Sequence, residues 1–401
     1  MATLASEVAE PRVEMNELAP YAGGHELAAA RGEGDRIRLT WEDGLRGDFH
    51  ALWLRDHCAC PQCRHPQTRE RIVRLLDLPE PLPAPDVEVT GDGALLVSWP
   101  ATGEHPAHES RFDPGWLRQR ADATTPAVRI PAAEPWEAAD AARRPVLDFG
   151  AVVNTDDGLR QWLTALQRDG FVLLGGGPEA PEGIDDVVRR IGWPRETNFG
   201  RYFDVISKPN PNNAAYTAIG LEPHIDLPNW QRPPDFQLLY CIRNGAEGGA
   251  STLVDGFAVA EALRADDPEA FEVLAATPID FRFQDEESDI AHRGPVIETD
   301  AQGAVTRIRF NNWIRDTLRL PTDAVAPFYR AYRRFWERLR DPRFVLRFSL
   351  QPGQLMAFDN LRVLHGREAF DPNSGPRHLR GTYLDRDLVQ SRLRVLERNG
   401  A

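Results

Sequence analysis

Polar and apolar residues alternate in short runs through the first third of the chain, a pattern typical of half-buried β-strands. The predicted strands are Arg36–Trp41, Phe49–Leu54, Val87–Thr90 and Ala94–Trp99, with a short helix near Asp113–Leu117. Turn-forming residues separate these strands into two pairs. The pattern therefore predicts a small, mainly β domain over residues 35–120. Residues 1–34, rich in Ala, Glu and Gly, are expected to form a partly disordered arm.

A different pattern begins near residue 145, where many short apolar strands are separated by helices. The predicted strands are Gly170–Leu174, Gln237–Ile242, Ser251–Asp255, Ile279–Phe283, Arg307–Phe310, Phe344–Phe348, Leu355–Phe358 and Leu379–Tyr383. Helices are predicted over Gly158–Arg168, Ala258–Asp267 and Ala324–Asp341. Many strands with few peripheral helices favour a β-barrel or a jelly roll over residues 145–401, within a mainly β, α+β chain. Residues 121–144, rich in Ala, Pro and charge, are the expected linker.

Composition narrows the function classes. The chain has 401 residues, 42% hydrophobic and 27% charged, as in ordinary globular proteins. Its net charge of -14 argues against nucleic acid as a main partner, because phosphate backbones attract basic surfaces. No run approaches the roughly 20 apolar residues of a membrane span, and the N-terminus lacks the pattern of a signal peptide. A cytoplasmic protein without a membrane partner is expected.

The stretch Leu221–Pro228 contains the first candidate site, because His224 and Asp226 form an H-x-D pair. In an extended segment, residues two apart point to the same side, so both side chains can reach one ion. His365 is a third candidate ligand, far downstream in an Asn-x-x-x-x-His-Gly-Arg setting. Two histidines and one carboxylate are the ligand set of non-heme Fe(II) oxygenases, which leaves metal positions open for chemistry.

A second candidate metal site lies in the N-terminal domain, where Cys58, Cys60 and Cys63 form a C-x-C-x2-C cluster. Three thiolates and one imidazole would make a closed tetrahedral zinc site, and four protein ligands imply a structural role. The candidates for the imidazole are His57, His65, His105 and His108. The alternative interpretation is a redox-active or coincidental cysteine cluster.

Together these motifs resemble a known family. Residues from about 145 to 395 resemble the Fe(II)- and 2-oxoglutarate-dependent dioxygenases of the taurine dioxygenase superfamily. The Cys-rich N-terminal domain narrows the resemblance to the γ-butyrobetaine and trimethyllysine dioxygenases. In that family a later histidine in an H-x-S-x-[FY] context completes the zinc site, which favours His108 of His108-Glu109-Ser110-Arg111-Phe112 here. The resemblance implies iron on His224, Asp226 and His365.

The resemblance also implies a cosubstrate site. It implies that 2-oxoglutarate chelates the iron and is decarboxylated to succinate and CO2 as the substrate is hydroxylated. Arg377 is the expected partner of the distal carboxylate, because a guanidinium grips a carboxylate with two hydrogen bonds. Strand alternation places Arg377 and Tyr383 on one face, and Arg380 on the other. Ser251 is the expected hydroxyl donor, and Thr252 is the alternative.

A quaternary ammonium is the substrate class that the resemblance implies, held by aromatic faces through cation–π attraction. The matching positions are Phe199, Phe203, Tyr216 and Tyr383 for the cage, with Asn213 and Asn312 (or Asn311) for the substrate carboxylate. Tyr202 or Trp230 could contribute instead. Phe199 and Phe203 stand where an animal relative would have Tyr and Trp, Ile225 replaces a frequent Thr, and Arg380 replaces an uncharged or acidic residue. An inward-turned Arg380 would favour an anionic head group.

Hydroxylation of γ-butyrobetaine to L-carnitine is the expected activity. The alternatives within the same chemistry are trimethyllysine, a trimethylammonium phosphonate or a specialised metabolite. An alternative from another class is a zinc-stabilised binding protein with an inactive oxygenase domain, which the complete metal-ligand set disfavours. Because members of the family are often dimers, a homodimer is expected.

Overall fold

A computed structural model of the protein describes residues 12–18, 21, 25–122, 130–206 and 217–399. The chain divides into two compact units, one of Met1–Arg129 with Glu397–Ala401 and one of Ile130–Leu396. Among the helices of the described residues, none combines the length and the apolar character that a bilayer crossing requires.

The smaller unit contains two antiparallel three-stranded sheets, β1-β2-β3 and β4-β5-β6. Its strands are β1 (Leu27–Glu33), β2 (Arg36–Trp41), β3 (Arg46–His50), β4 (Asp86–Val89), β5 (Leu95–Trp99) and β6 (His108–Phe112). Its helices are α1 (Ala51–Asp56) and α2 (Pro114–Arg118), with a 3-10 turn at Leu75–Asp77. Alternate residues of β2, Ile37, Leu39 and Trp41, enter the core, as the polar–apolar alternation predicts.

Two features of this unit differ from the sequence-based expectation. The strand predicted over Phe49–Leu54 ends at His50, because the Nδ1 atom of His50 accepts a hydrogen bond from the Leu52 amide at 3.1 Å and starts α1. In addition, β1 lies within residues 1–34, where an arm was expected, and it pairs along its length with β2. The described part of residues 1–34 therefore contributes β1 to the sheet β1-β2-β3.

The larger unit contains two main sheets. Its strands are β7 (Leu147–Asp148), β8 (Phe171–Gly175), β9 (Tyr202–Val205), β10 (Leu221–His224), β11 (Phe236–Asn244), β12 (Ser251–Asp255), β13 (Ile279–Gln284), β14 (Asp289–Gly294), β15 (Ile297–Thr299), β16 (Val305–Ile308), β17 (Val345–Phe348), β18 (Leu355–Asp359), β19 (Val363–Arg367) and β20 (Arg377–Leu384). Its helices are α3 (Ala138–Ala141), α4 (Phe149–Asn154), α5 (Asp156–Asp169), α6 (Gly183–Ile191), α7 (Gly256–Asp266), α8 (Pro268–Ala276), α9 (Thr322–Leu339) and α10 (Arg386–Asn399).

Strands of the larger unit pass back and forth between the two sheets. The six-stranded sheet has the order β7-β8-β18-β11-β20-β9, and the four-stranded sheet has the order β10-β19-β12-β17. The consecutive strands β17, β18, β19 and β20 thus fall in the small, large, small and large sheet. Pairing is antiparallel except between β7 and β8. β13 with β14 and β15 with β16 form separate hairpins.

Buried apolar side chains of the larger unit form three clusters, one between the two main sheets and one on the outer face of each. One cluster lies between the sheets and includes Leu239, Leu253 and Val363 from β11, β12 and β19. A second cluster joins the outer face of the large sheet to α4, α5, α6 and α10, and a third joins the small sheet to α7, α8 and α9. Along β11, odd-numbered residues such as Leu239 and Cys241 face the inter-sheet core and even-numbered residues face the helices. The expectation of a mixed α and β chain with a β-rich N-terminal part is confirmed.

Candidate active site and second metal centre

Three predicted metal ligands converge in the larger unit. His224 ends β10, and its cross-strand partner on β19 is His365. The Nε2 atoms of the two rings lie 3.5 and 3.7 Å from Oδ1 of Asp226. One ligand atom from each residue lies within 4.8 Å of the other two, close enough for one ion. This donor set, two imidazoles and one carboxylate oxygen, fits a first-row transition metal such as Fe(II).

Hydrogen bonds orient two of these ligands, His224 and Asp226. The Nδ1 atom of His224 lies 2.8 Å from the carbonyl oxygen of Glu222, which can only accept, so the proton belongs on Nδ1 and Nε2 is free for a metal. The hydroxyl of Tyr383 donates to Oδ2 of Asp226 at 2.7 Å, leaving Oδ1 turned toward the imidazoles. Tyr383 is thus a neighbour of the metal site as well as part of the aromatic cluster described below.

Asp226 lies beyond the end of β10 rather than on an extended strand with His224. Asn360 fixes it there, accepting from the Asp226 amide at 2.8 Å and donating to the Asp226 carbonyl at 3.0 Å. Leu227 follows with φ 55°, a left-handed conformation unusual for leucine. The expectation that the pair shares one side of a strand is therefore corrected: a turn, held by Asn360, brings the carboxylate to the imidazoles.

Electrostatics favours the metal-binding protonation states of His365 and Asp226. Burial is the largest cause of the lowered pKa of His365, about 3, so its imidazole is neutral near pH 7. Burial opposes ionisation of Asp226, but His365, His224 and the Tyr383 hydroxyl together hold its pKa below the usual range. A neutral imidazole and an ionised carboxylate are the forms that bind a metal.

Arg377, the expected carboxylate partner, begins β20, the strand that also carries Tyr383. Its guanidinium carbon lies 5.4 Å from the centre of the Phe370 ring, and its Nε is buried without a hydrogen-bond partner in the described part of the chain. Burial lowers the pKa of Arg377, though a guanidinium remains charged near pH 7. A buried, charged donor of this kind fits an anionic ligand, because an unpaired buried donor otherwise carries a desolvation cost.

The two candidate hydroxyl donors on β12 face opposite ways. Ser251 alternates with Leu253, which lies in the inter-sheet core, whereas Thr252 alternates with Val254, which packs toward the helices. Ser251 is therefore on the inner face. Arg367 is buried, and its guanidinium also lies near Phe370, although its sequence motif predicted no role for it. It donates to the carbonyl oxygens of Thr217 and Ile219 at 2.7 and 2.8 Å and so fixes the chain that enters β10.

Aromatic rings extend outward from the metal ligands. The rings of Tyr383 and Phe203 are 5.1 Å apart, and Phe203 and Phe199 are 6.5 Å apart. Gly381 makes room for this arrangement, since a Cβ atom there would lie 2.4 Å from two carbons of the Phe203 ring. Phe283, which the sequence analysis did not single out, continues the series with a T-shaped contact to Phe199 at 5.8 Å. We refer to Phe199, Phe203, Phe283 and Tyr383 as the aromatic cluster.

Other predicted substrate residues take different positions. Tyr202 packs on the helix side of the large sheet, where its ring faces the guanidinium of Arg380 at 4.9 Å. Arg380 therefore points away from the inter-sheet face, as alternation predicts. Trp230 lies under the guanidinium of Arg195 at 5.6 Å. Asn213 and Tyr216 fall outside the described residues.

The two candidate asparagines beyond β16 differ in their surroundings. Asn311 is buried, donates to the carbonyl of Ile225 at 3.1 Å and accepts from the Trp313 amide at 3.0 Å. Through these bonds Asn311 holds the backbone at Ile225, between His224 and Asp226, so its side chain already has partners within the protein. Asn312 is half-buried and remains the candidate hydrogen-bond donor to the substrate carboxylate.

The second candidate metal site is formed by Cys58, Cys60, Cys63 and His108 in the smaller unit. The three sulfurs lie 3.3, 3.7 and 3.6 Å from Nε2 of His108. Tetrahedral zinc, with Zn–S of about 2.3 Å and Zn–N of about 2.0–2.1 Å, separates sulfur and nitrogen ligands by roughly 3.6 Å. The cluster therefore has the dimensions of a zinc site.

Groups around Cys63 favour its thiolate, whereas the hydrogen bond with Cys63 and burial raise the pKa of the Cys58 thiol. Hydrogen bonding from Cys58, and then from His108 and Arg55, lowers the pKa of the Cys63 thiol to about 3. The Nη1 atom of Arg55 donates to the Cys63 sulfur at 3.2 Å. Two of the rival imidazoles are engaged elsewhere: His57 bonds the Trp53 carbonyl at 2.7 Å, and the Nδ1 atom of His65 accepts from its own loop. The third rival, His105, is not part of the cluster. His108 is the ligand of choice.

Comparison with known proteins identifies the family of the chain. The family described as Taurine catabolism dioxygenase TauD, TfdA family matches residues 130–383, and Gamma-butyrobetaine hydroxylase-like, N-terminal matches residues 29–120. The chain therefore belongs to the TauD, TfdA family of dioxygenases. Within it, the chain is similar to Gamma-butyrobetaine dioxygenase of Pseudomonas sp. (strain AK-1), at 43% identity over 93% of this chain and 96% of the relative.

Further similarities are more distant. Trimethyllysine dioxygenase of Meyerozyma guilliermondii is 30% identical over 93% of this chain and 96% of the relative. A solved asparagine oxygenase, in complex with Fe(II), 2S,3S-3-hydroxyasparagine and succinate, aligns at a TM-score of 0.46 and 17% identity over 59% of this chain and 83% of that chain. The expectation of a dioxygenase related to the γ-butyrobetaine and trimethyllysine enzymes is confirmed.

Proposed function

We propose that the protein is an Fe(II)- and 2-oxoglutarate-dependent hydroxylase that converts γ-butyrobetaine to L-carnitine. The observation that carries the proposal is the convergence of His224, Asp226 and His365 next to Tyr383, the inner ring of the aromatic cluster. The 43% identity to a γ-butyrobetaine dioxygenase supports the substrate.

In this proposal the chain positions its ligands as follows. His224, Asp226 and His365 hold Fe(II), which when bound supplies oxygen activation coupled to decarboxylation of 2-oxoglutarate. Arg377 binds the distal carboxylate of 2-oxoglutarate, and Ser251 adds a hydroxyl donor. The Tyr383 hydroxyl keeps one carboxylate oxygen of Asp226 occupied, so that the other remains available to the ion.

The substrate would lie between the metal ligands and the aromatic cluster. Phe199, Phe203 and Tyr383 offer faces for the trimethylammonium group, because a ring quadrupole attracts a desolvated cation. Asn312 supplies an amide donor for the substrate carboxylate. Asn213 and Tyr216, outside the described residues, are proposed to complete the pocket on the strength of the resemblance alone.

Several wider expectations belong to the same proposal. The alternation of strands between two sheets is the order of a double-stranded β-helix, or jelly roll, which we propose for residues 145–401. Zinc on the Cys58 cluster would be structural, stabilising a small domain over residues 35–120 joined by a linker at 121–144. A cytoplasmic location and a homodimer remain predictions.

The test is succinate formation by Fe(II)-loaded protein supplied with 2-oxoglutarate, oxygen and one candidate amine at a time. We expect γ-butyrobetaine to stimulate succinate formation strongly and to yield L-carnitine, identified by mass spectrometry. Stimulation by trimethyllysine or a trimethylammonium phosphonate instead would transfer the proposal to that substrate. Asp226→Ala, which opens the metal site, is the inactive control, and full activity in this variant would contradict the ligand assignment.

A further inference from the structure

Phe283 lies at the outer end of the aromatic cluster. Its ring meets that of Phe199 at 5.8 Å and an interplanar angle of 64°, an edge-to-face geometry favoured by aromatic quadrupoles. Tyr383, at the inner end of the cluster, is bonded to Asp226, so a continuous series of rings runs from the metal ligands to Phe283. Phe199, Phe203 and Phe283 are half-buried, whereas Tyr383 is buried. The accessible ring surface is therefore at the Phe283 end.

The hairpin that carries Phe283 is anchored on two sides. Asn229, in the loop that follows Asp226, donates to the carbonyl of Ile290, the cross-strand partner of Phe283, at 3.1 Å. On the other side, the Arg282 amide donates to the carbonyl of Ile314 at 2.9 Å. These bonds hold Phe283 in place relative to the loop after Asp226 and to the segment after Asn312.

Charge at the hairpin tip favours a cation. The turn between β13 and β14 exposes Asp285, Glu286 and Glu287 immediately after Gln284. Asp289 is paired with Arg282, with oxygen–nitrogen distances down to 2.5 Å, and so contributes little free charge. In a chain of net charge -14, this tip adds negative potential where a ligand would approach the rings. The potential alone specifies no site, but it has the sign that suits a quaternary ammonium.

We propose that Phe283 is a further specificity-determining residue, an additional ring that selects the quaternary ammonium group by its charge. This inference rests on the proposed function. Phe199 and Phe203 are weaker cation–π faces than Trp. The Phe283 ring adds cation-binding surface that those two positions do not provide. The proposal predicts that replacing Phe283 affects cationic ligands more than neutral ligands of the same shape.

The experiment compares γ-butyrobetaine with 5,5-dimethylhexanoate, in which a carbon atom replaces the quaternary nitrogen. Dissociation constants are measured by calorimetry under nitrogen, with the full-length zinc-containing protein loaded with Mn(II) and 2-oxoglutarate, so that no turnover occurs. The preference is the ratio of the two constants. We expect Phe283→Leu and Phe283→Met, which keep an apolar side chain without a ring, to lower this preference about 3- to 10-fold. Phe283→Tyr should retain it.

The control is Phe257→Leu, which alters another half-buried phenylalanine, one that packs against the core of α7, α8 and α9. Metal content and melting temperature identify any variant that fails to fold. If Phe283→Leu or Phe283→Met weakens both ligands equally, the ring is packing only and the inference is wrong, although the proposed function stands. If the wild-type protein has no preference for the cation, both the inference and the quaternary-ammonium function are wrong.

Discussion

At the scale of single residues, the Tyr383 hydroxyl decides how Asp226 meets the metal. It donates to Oδ2 at 2.7 Å and leaves Oδ1 facing His224 and His365. Groups that hydrogen-bond to metal ligands are worth about 10–100-fold in metal affinity. We therefore expect Tyr383→Phe to weaken Fe(II) or Mn(II) binding about tenfold, because the carboxylate loses a bond that stabilises its ionised form. Calorimetric titration of the metal measures this change.

A matched control is Tyr240→Phe. The Tyr240 hydroxyl also donates a buried hydrogen bond, to the carbonyl of Pro178 on the helix side of the large sheet. Its loss should lower stability slightly and leave metal affinity unchanged. Equal weakening of metal binding in both variants would mean that Tyr383 acts through general packing rather than through Asp226.

Gly381 is important because it has no side chain. A methyl group at this position would fall 2.4 Å from the Phe203 ring and 3.1 Å from Leu239, so Gly381→Ala must displace Phe203 from Tyr383. We expect KM for the substrate to rise severalfold with a smaller effect on kcat, since the metal ligands are untouched. Steady-state kinetics checks the split. Gly91→Ala, where a Cβ would meet open space, is the control.

The sequence predicted the residues whose chemistry is visible in their identity. His224, Asp226, His365 and the cysteine cluster are recognisable because few side chains bind metals. Phe283 could not be found in this way, and Asn360 appeared only as part of the motif around His365, because a phenylalanine or an asparagine has many structural uses. Their proximity to the site depends on contacts between segments 84 and 134 residues apart, Phe199 with Phe283 and Asp226 with Asn360. Only the folded chain supplies such contacts.

At the scale of elements, strand periodicity proved more informative than strand boundaries. Alternation placed Tyr383 on the inner face of β20 and Arg380 on the outer face, and the structure agrees for both. The boundaries failed where a side chain caps or holds the backbone. His50 ends β3 by starting a helix, and Asn360 holds Asp226 in a turn where an extended pair was expected. Such local hydrogen bonds compete with strand pairing and carry no periodic signal.

A buried ion pair joins the end of β12 to the start of β19. Nη2 of Arg362 lies 2.7 Å from Oδ2 of Asp255, and both side chains are almost fully buried at 1% and 0% exposure. Arg362 also donates to the carbonyls of Arg168 and Glu134. Because β19 carries His365, this pair supports the element that supplies a metal ligand. Removing one partner would leave a buried charge uncompensated.

We therefore expect Arg362→Met to lower the free energy of unfolding by about 3–5 kcal/mol, as measured by urea denaturation. Adding Asp255→Asn should restore part of the loss by removing the unpaired charge. Arg334→Met is the control, since its pair with Glu337 is exposed and should matter by less than about 0.5 kcal/mol. If the buried and exposed variants lose equal stability, the pair does not hold these strands together.

At the scale of the whole molecule, the chain is two units with separate cores and separate candidate metal centres. The core of the smaller unit contains Trp41, Trp99 and Phe112, whereas the larger unit has clusters between and outside its sheets. The net charge of -14 describes the whole chain and does not separate the two units. Composition therefore argued against nucleic acid as a main partner but did not predict this division. The division instead predicts that the two metals stabilise different parts of the chain.

Zinc should therefore contribute to the stability of the smaller unit alone. Cys60→Ser removes one of the sulfurs around His108, and a tetrahedral site with three remaining ligands binds zinc poorly. We expect zinc content to fall and one calorimetric unfolding transition to move to lower temperature, while a second transition and Mn(II) binding to the larger unit stay unchanged. Cys241→Ala, a cysteine outside the cluster, should keep its zinc. Loss of Mn(II) binding with zinc retained in Cys60→Ser would show that the two metal assignments are exchanged.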